Sequence, residues 1–168
     1  MLRFLPERPD DAEEIETLLD LSFAPGRTAL SSYQLREGVA PIADLCRVVR
    51  DEYDTMAAAI RYWPVRLGHD RLPGLLLGPI AVHPTRQGEG IGAALMADTL
   101  GDAERLGWTR VLLVGDEPYY RRFGFTRAAA GGLVFPPPVN PARLLGRGLA
   151  PDAMAGLAGP VTGWDPAG

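Results

Sequence analysis

Between Leu75 and Leu95 the chain reads LLLGPIAVHPTRQGEGIGAAL, and no other stretch limits the fold as much. Leu75 to Val82 is apolar on both sides of an alternating chain, the pattern of a central strand covered on both faces. A loop with three glycines in five residues, Gly88, Gly90 and Gly92, follows Pro84. Ala93, Leu95, Met96, Leu100 and Ala103 then keep helical spacing as far as Gly107, a natural stop. A strand, a glycine loop and a helix in that order make a phosphate cradle. Glycine lets the backbone come close, and successive N–H groups at the helix start face the anion. Arg86, just before the loop, adds positive charge.

Two ligand classes use such a loop, a nicotinamide or flavin dinucleotide and coenzyme A. Gly88, Gly90 and Ala93 satisfy the dinucleotide spacing G-x-G-x-x-G/A, and Asp116 ends the next strand-like run. Three features oppose that reading. HPTRQ separates the strand from the first glycine, where a dinucleotide turn is immediate. Nearly half the chain precedes the motif. The chain after Asp116 is too short for the remaining strands of a doubly wound sheet.

The flanking sequence supplies the rest of an α/β fold. Leu2 to Pro6 reads as a strand, and Asp10 is placed to cap a helix with Ile15, Leu18, Leu19 and Leu21 as its buried stripe. FAPGRTALSS is a loop, and Ser31 to Glu37 a second short helix. LCRVVRDE and TMAAAIRYWPVRL are strand-like runs with a polar break at Asp51 to Asp54, as in a hairpin. TRVLLVG is a second buried strand, and EPYYRRF a short helix stopped by Gly124. From about residue 128 the chain is rich in Gly, Pro and Ala, with strand-like pieces at Leu133 to Phe135 and Arg143 to Leu149. No repeat or linker divides the chain, so residues 1–168 read as one domain.

Read as Gln87-x-x-Gly90-x-Gly92 after Val82 and Pro84, the central stretch resembles the GNAT superfamily of acyl-CoA-dependent N-acetyltransferases. The hallmark there is V-x-P, then R/Q-x-x-G-x-G/A and a helix. YYRRFGF, Tyr119 to Phe125, is similar to the family's second motif, Y-x-x-x-G-F. FAPGR, RYWPV and APDAMAGLAG look like a bacterial branch of predicted N-acetyltransferases. The resemblance implies a mixed sheet of about six or seven strands, splayed between the fourth and fifth and flanked by about four helices. It implies acetyl-CoA (coenzyme A) as cofactor, direct transfer to a small-molecule or peptide amine acceptor, and a family in which homodimers are common.

Residue by residue, the resemblance places Arg86, Gln87, Gly88, Glu89, Gly90, Ile91, Gly92 and Ala93 around the pyrophosphate. The backbone of Ile80, Ala81 and Val82 would hold the pantetheine arm, with the Val82 N–H aimed at the thioester carbonyl. Tyr120, four before Gly124, is the acid that protonates the leaving thiolate. Asp116, Tyr119 and Arg122 stand beside it as cofactor contacts, with Asp116 equally suited to cap the Tyr-bearing helix. Phe23 to Arg27, Tyr62 and Trp63 are the candidate acceptor walls. The base is open: the strand has Gly78, Pro79 and Ala81 where the family often has Glu, and His83, Asp116 and Glu117 are the nearby groups. That missing carboxylate sustains a second reading, an acyl-CoA-binding sensor or scaffold without turnover.

The remaining composition excludes rather than assigns. A net charge of −4 argues against nucleic acid and mildly favours cationic acceptors. No apolar run approaches the roughly 18 residues of a membrane span, and the start is too soon acidic for a signal peptide, so the expected location is cytoplasmic. Cys46 stands alone in an apolar-alternating run, as a buried inert thiol would. One cysteine and two distant histidines make no metal site.

Overall fold

A computed structural model describes residues 1–23 and 31–165 of the chain. Its strands are β1 (Arg3–Pro6), β2 (Arg47–Arg50), β3 (Met56–Leu67), β4 (Leu72–Val82), β5 (Arg110–Val114), β6 (Leu133–Val134), β7 (Leu144–Gly148) and β8 (Gly159–Gly163). The helices are α1 (Ala12–Ser22), α2 (Ser31–Arg36), α3 (Ile91–Arg105) and α4 (Glu117–Tyr120). The sheet runs β1-β2-β3-β4-β5-β7, with β8 beside the far end of β3 and β6 beside β8. Neighbours are antiparallel except β4 with β5 and β6 with β8. So few parallel pairs are incompatible with the doubly wound sheet of a dinucleotide fold. No helix among the described residues is long and apolar enough to cross a membrane.

The strand pleat sorts the core. Leu75 and Leu77 of β4, with Val111 and Leu113 of β5, pack with Leu95, Met96 and Leu100 of α3. Their alternates, Leu76 and Leu112, join Leu133, Phe135, Leu144 and Val161 from the C-terminal segment on the other side. The Gly/Pro/Ala-rich tail is therefore a layer of the fold. It contributes a strand that the sequence hides: β8 is GPVTG, whose proline and glycines suppress any strand signal, and β3 pairing holds it in place.

Two details of the first helix differ from expectation. A short 3-10 turn, Pro9–Asp11, precedes α1, so Asp11 rather than Asp10 stands at the junction. The Asp11 carboxylate caps nothing in α1; it accepts from the Arg8 N–H at 2.8 Å and from buried Arg50 at 2.8 Å. Ile15, Leu18 and Leu19 are buried at the i, i+3, i+4 spacing, while Leu21 is out of phase and 55% exposed. Cys46 lies just before β2; burial pushes its thiol up to about 11, and it donates to the Ile42 carbonyl.

One irregularity in this sheet positions the site. On β3, Tyr62 faces Leu77 and Ile60 faces Ile80, so Gly78 and Pro79 oppose Arg61 alone. This bulge bends β4 midway along its length. The β4–β5 ladder has two rungs, Leu75 with Val111 and Leu76 with Leu112, and ends where the bulge begins.

Candidate active site

Above the last rung, β4 and β5 part around a cavity of ≈ 660 Å³. Gly78, Pro79 and Ile80 line one side, and Val114, Gly115 and Tyr120 the other. The direction of the backbone on β4 follows from one bond. His83 donates its N–H to the Ala57 carbonyl at 2.8 Å. Peptide groups alternate along an antiparallel pair, so Ala81 also turns toward β3. Ile80 and Val82 then direct their N–H groups away from β3, into the gap.

The glycine loop follows β4 beyond the cavity. Gly88 and Gly90 both take left-handed backbone, φ +85° and +80°, where side chains are rarely tolerated. Gly90 begins α3 without a side-chain cap, and the first intrahelical bond is Ala94 N–H to Gly90 carbonyl. Ile91, Gly92 and Ala93 therefore present N–H groups with no intrahelical acceptor, at the positive end of a 15-residue helix. Gly92 lies beside the Val82 side chain, so the cradle opens directly onto the β4 gap. Gln87 and Glu89 are exposed on the loop.

Arg86 is paired within the protein. Its guanidinium lies 3.1 Å from Asp51 and 3.4 Å from Glu89. Asp51 is in turn held by the N–H groups of Tyr53 and Thr55, and these together with Arg86 keep its carboxyl below the usual range. The positive charge of Arg86 is thus committed to a tie between the β2–β3 turn and the glycine loop. Asp51 carries no motif; only its fold neighbours reveal it.

Across the gap, Tyr120 is half-buried at the end of α4. Its ring lies against Gly115, where any Cβ would overlap it. Tyr119 stacks edge-on at 4.9 Å and Phe125 at 6.5 Å between ring centres. Burial, with the nearby Tyr119 and Asp116, raises the Tyr120 phenol above its ordinary value, so the hydroxyl keeps its proton through the neutral range. Tyr119 is 42% exposed, with Arg122 over its ring at 4.5 Å and donating to its carbonyl.

The candidate bases are all engaged elsewhere. The Asp116 side chain does not cap α4; it pairs with Arg143 at 2.8 Å, leaving its backbone carbonyl to accept from Tyr119 and Tyr120. Glu117 accepts from the Arg127 N–H at 2.8 Å. His83 accepts from the Thr85 N–H in its own turn. Of the expected acceptor walls, Tyr62 and Trp63 are corrected. Tyr62 is fully buried and bonds Thr99 at 2.8 Å, and Trp63 packs in the core beneath α2. Phe23 does line the cavity, and residues 24–27 lie outside the described residues. The opposite wall, from α2 and the 138–143 segment, has no signature in the sequence.

A mixed sheet parted at one parallel pair, with a glycine loop above the gap and a tyrosine across it, is the architecture of acyl-CoA-dependent acetyltransferases. The comparisons agree. The acetyltransferase (GNAT) domain model matches residues 44–127. The uncharacterized N-acetyltransferase YhbS of Escherichia coli (strain K12) is 30% identical over 155 residues, covering 92% of each chain. The crystal structure of YhbS from Escherichia coli in complex with CoA has a TM-score of 0.80 at 28% identity, covering 98% of this chain and 89% of that one. A GNAT family acetyltransferase from Brucella melitensis in complex with acetyl-CoA has a TM-score of 0.70 at 26% identity, covering 99% and 97%. The chain belongs to the GNAT family of acetyltransferases.

Proposed function

We propose that the chain, acting as one domain over residues 1–168, transfers an acetyl group from acetyl-CoA to a primary amine by direct attack in a ternary complex. The observation that carries this reading is the parting of β4 from β5 at Leu76 and Leu112, with Tyr120 across the opening. Two N–H groups directed into that gap, Ile80 and Val82, suit an extended amide-bearing arm laid along β4 as an added strand. The loop above it suits a pyrophosphate: left-handed glycines, free helix N–H groups and, among the described residues, no side chain within 4 Å of a Cβ at Gly88 or Gly90. Acetyl-CoA supplies an activated acyl carbon and a thiolate leaving group.

The chain's own groups then have distinct tasks. Ile80 lines the cavity with Tyr120, whereas Val82 lies nearer the glycine loop, so we assign the Ile80 N–H to the acyl carbonyl oxygen. A fixed donor there stabilises the negative charge that develops as the amine attacks. The nitrogen lone pair forms the C–N bond, the C–S bond breaks, and Tyr120 gives its proton to the departing sulfur. The proton lost by the amine goes to water, because His83, Asp116 and Glu117 have other partners and β4 carries no carboxylate there. Tyr120 regains a proton from solvent, and the products are an amide and free coenzyme A.

The test pairs thermal unfolding with thiol release. Acetyl-CoA at about a hundred times its Kd adds roughly 2.7 kcal/mol of stability, a shift of several degrees, and NADH adds none. An amine panel with acetyl-CoA is expected to release free thiol. Stabilisation without thiol release from any amine would favour the sensor reading, and stabilisation by NADH alone would overturn the cofactor assignment.

A further inference from the structure

The proposed acid stands on little structure of its own. Tyr120 is the last residue of α4, which is 4 residues long, and one 3-10 turn, Arg121–Phe123, carries the chain on to Gly124. So short a helix does not hold its shape unaided; its neighbours must fix it. Gly115 and Tyr119 meet the Tyr120 ring, and the rings of Phe123 and Phe125 stand 6.5 Å from it. The Tyr120 hydroxyl bonds no other side chain among the described residues, so its position follows that of the turn.

One side chain ties this turn to the sheet. Arg147 of β7 donates from Nη1 to the Phe123 carbonyl at 2.9 Å. On β7, Arg147 lies opposite Val111 of β5, and Leu145 lies opposite Leu113. Val111, Leu113 and Leu145 all pack on the α3 side, so Arg147 projects to that side as well. Its Cδ and Nε lie 3.1 Å from where a Cβ on Gly124 would stand. Gly124 therefore meets two demands, left-handed backbone at φ +83° and room for the arginine stem. α3 does not back the turn here. A second cavity of ≈ 410 Å³ intervenes, bordered by Leu100 and Glu104 of α3 and by Phe123, Gly124 and Arg147. The Phe123 carbonyl is at the negative end of the turn, where a cationic donor is favoured. The Arg147 guanidinium forms no ion pair among the described residues, and this carbonyl is what it bonds.

We propose that Arg147 is a positioning residue for the acid: its bond to the Phe123 carbonyl fixes the 121–124 turn against β7, and with it the reach of the Tyr120 hydroxyl toward the departing sulfur. The inference rests on the acetyltransferase reading. In this role Arg147 takes no proton and touches no reacting atom; it acts through Tyr120.

A kinetic cycle with Tyr120→Phe separates positioning from plain structural support. Arg147→Met keeps an unbranched stem and removes the donor. Thiol release is referred to acetyl-CoA-binding sites counted by isothermal titration, which corrects for any unfolded fraction. In Arg147→Met, kcat is expected to fall about tenfold, with the acetyl-CoA KM within about threefold. Arg147→Lys returns a cationic donor and is expected to recover kcat to within about threefold of the parent. In the Tyr120→Phe background, Arg147→Met should change kcat by less than about twofold, because the group it places is gone. Gly124→Ala disturbs the same contact from the turn and goes through the same cycle with the same pattern expected, so the test does not depend on one variant's folding. An unchanged kcat in Arg147→Met, an acetyl-CoA KM that rises more than kcat falls, or a loss that persists in the Tyr120→Phe background would overturn the inference and leave acetyl transfer standing. An unchanged kcat in Tyr120→Phe alone would overturn the acid assignment and the role of Arg147 with it. No thiol release from any amine by the parent protein, with acetyl-CoA still raising Tm, would overturn acetyl transfer itself and this inference with it.

Discussion

The two halves of the cavity are built in opposite ways. The acyl-CoA half comes from contiguous chain, β4 through the first turn of α3, with β5 and α4 close behind in sequence. The groups proposed to work there are largely backbone: the N–H groups of Ile80 and Val82, the loop glycines and the first turn of α3. The outer half, the proposed acceptor side, is assembled from α2 and the 138–143 segment, about a hundred residues apart, and it is lined by side chains. Backbone recognition imposes glycine and proline at fixed spacings. Side-chain recognition imposes only that some residue of the right charge arrives in place, which any of several segments can supply. A shared cofactor and a variable acceptor are what such a division serves.

Substitutions on each side sharpen this contrast. Tyr120→Phe removes the proton donor but keeps the ring packing, so kcat is expected to fall about a hundredfold or more with the acetyl-CoA KM within about threefold. An unchanged kcat would remove Tyr120 from the chemistry. In the parent protein, Tyr120 ionisation lowers kcat only as pH rises through a phenol pKa held above its ordinary value, so a pH–rate profile should show no alkaline limb from this group in the neutral range. Gly90→Val puts a β-branched residue at φ +80°, and steady-state kinetics should show the acetyl-CoA KM rising about thirtyfold, more than any acceptor KM. Gly115→Ala drives a methyl into the Tyr120 ring; a kcat about tenfold lower is expected, with acceptor selectivity unaltered. Asp51→Asn loosens Arg86 from the β2–β3 turn, and isothermal titration should find acetyl-CoA binding weaker by about threefold.

This division also explains what was legible in the sequence. The order of strands through β5, the glycine loop and Tyr120 could be read because burial on two faces and left-handed turns leave strong marks on composition. The bulge was half legible: Gly78 and Pro79 are visible, but their opposition to Arg61 is a fact of register. The pairing of Arg86 was not legible, because its partner Asp51 lies 35 residues earlier. Tyr62 and Trp63 were taken for pocket walls because alternation says which residues share a face, not which face meets the core. Gly115 and Arg143 were missed because each matters through a contact, with the Tyr120 ring and with the Asp116 carboxylate, that no local pattern records.

Amide hydrogen exchange on β4, followed by NMR with and without saturating acetyl-CoA, tests the central claim most directly. Ile80 and Val82 face the gap and should exchange markedly more slowly when acetyl-CoA is bound. Ala81 and His83 bond β3 in both states and should change little. Unchanged exchange at Ile80 and Val82, in a sample whose Tm acetyl-CoA has raised, would contradict the placement of the acyl-CoA arm along β4 and the site built around it.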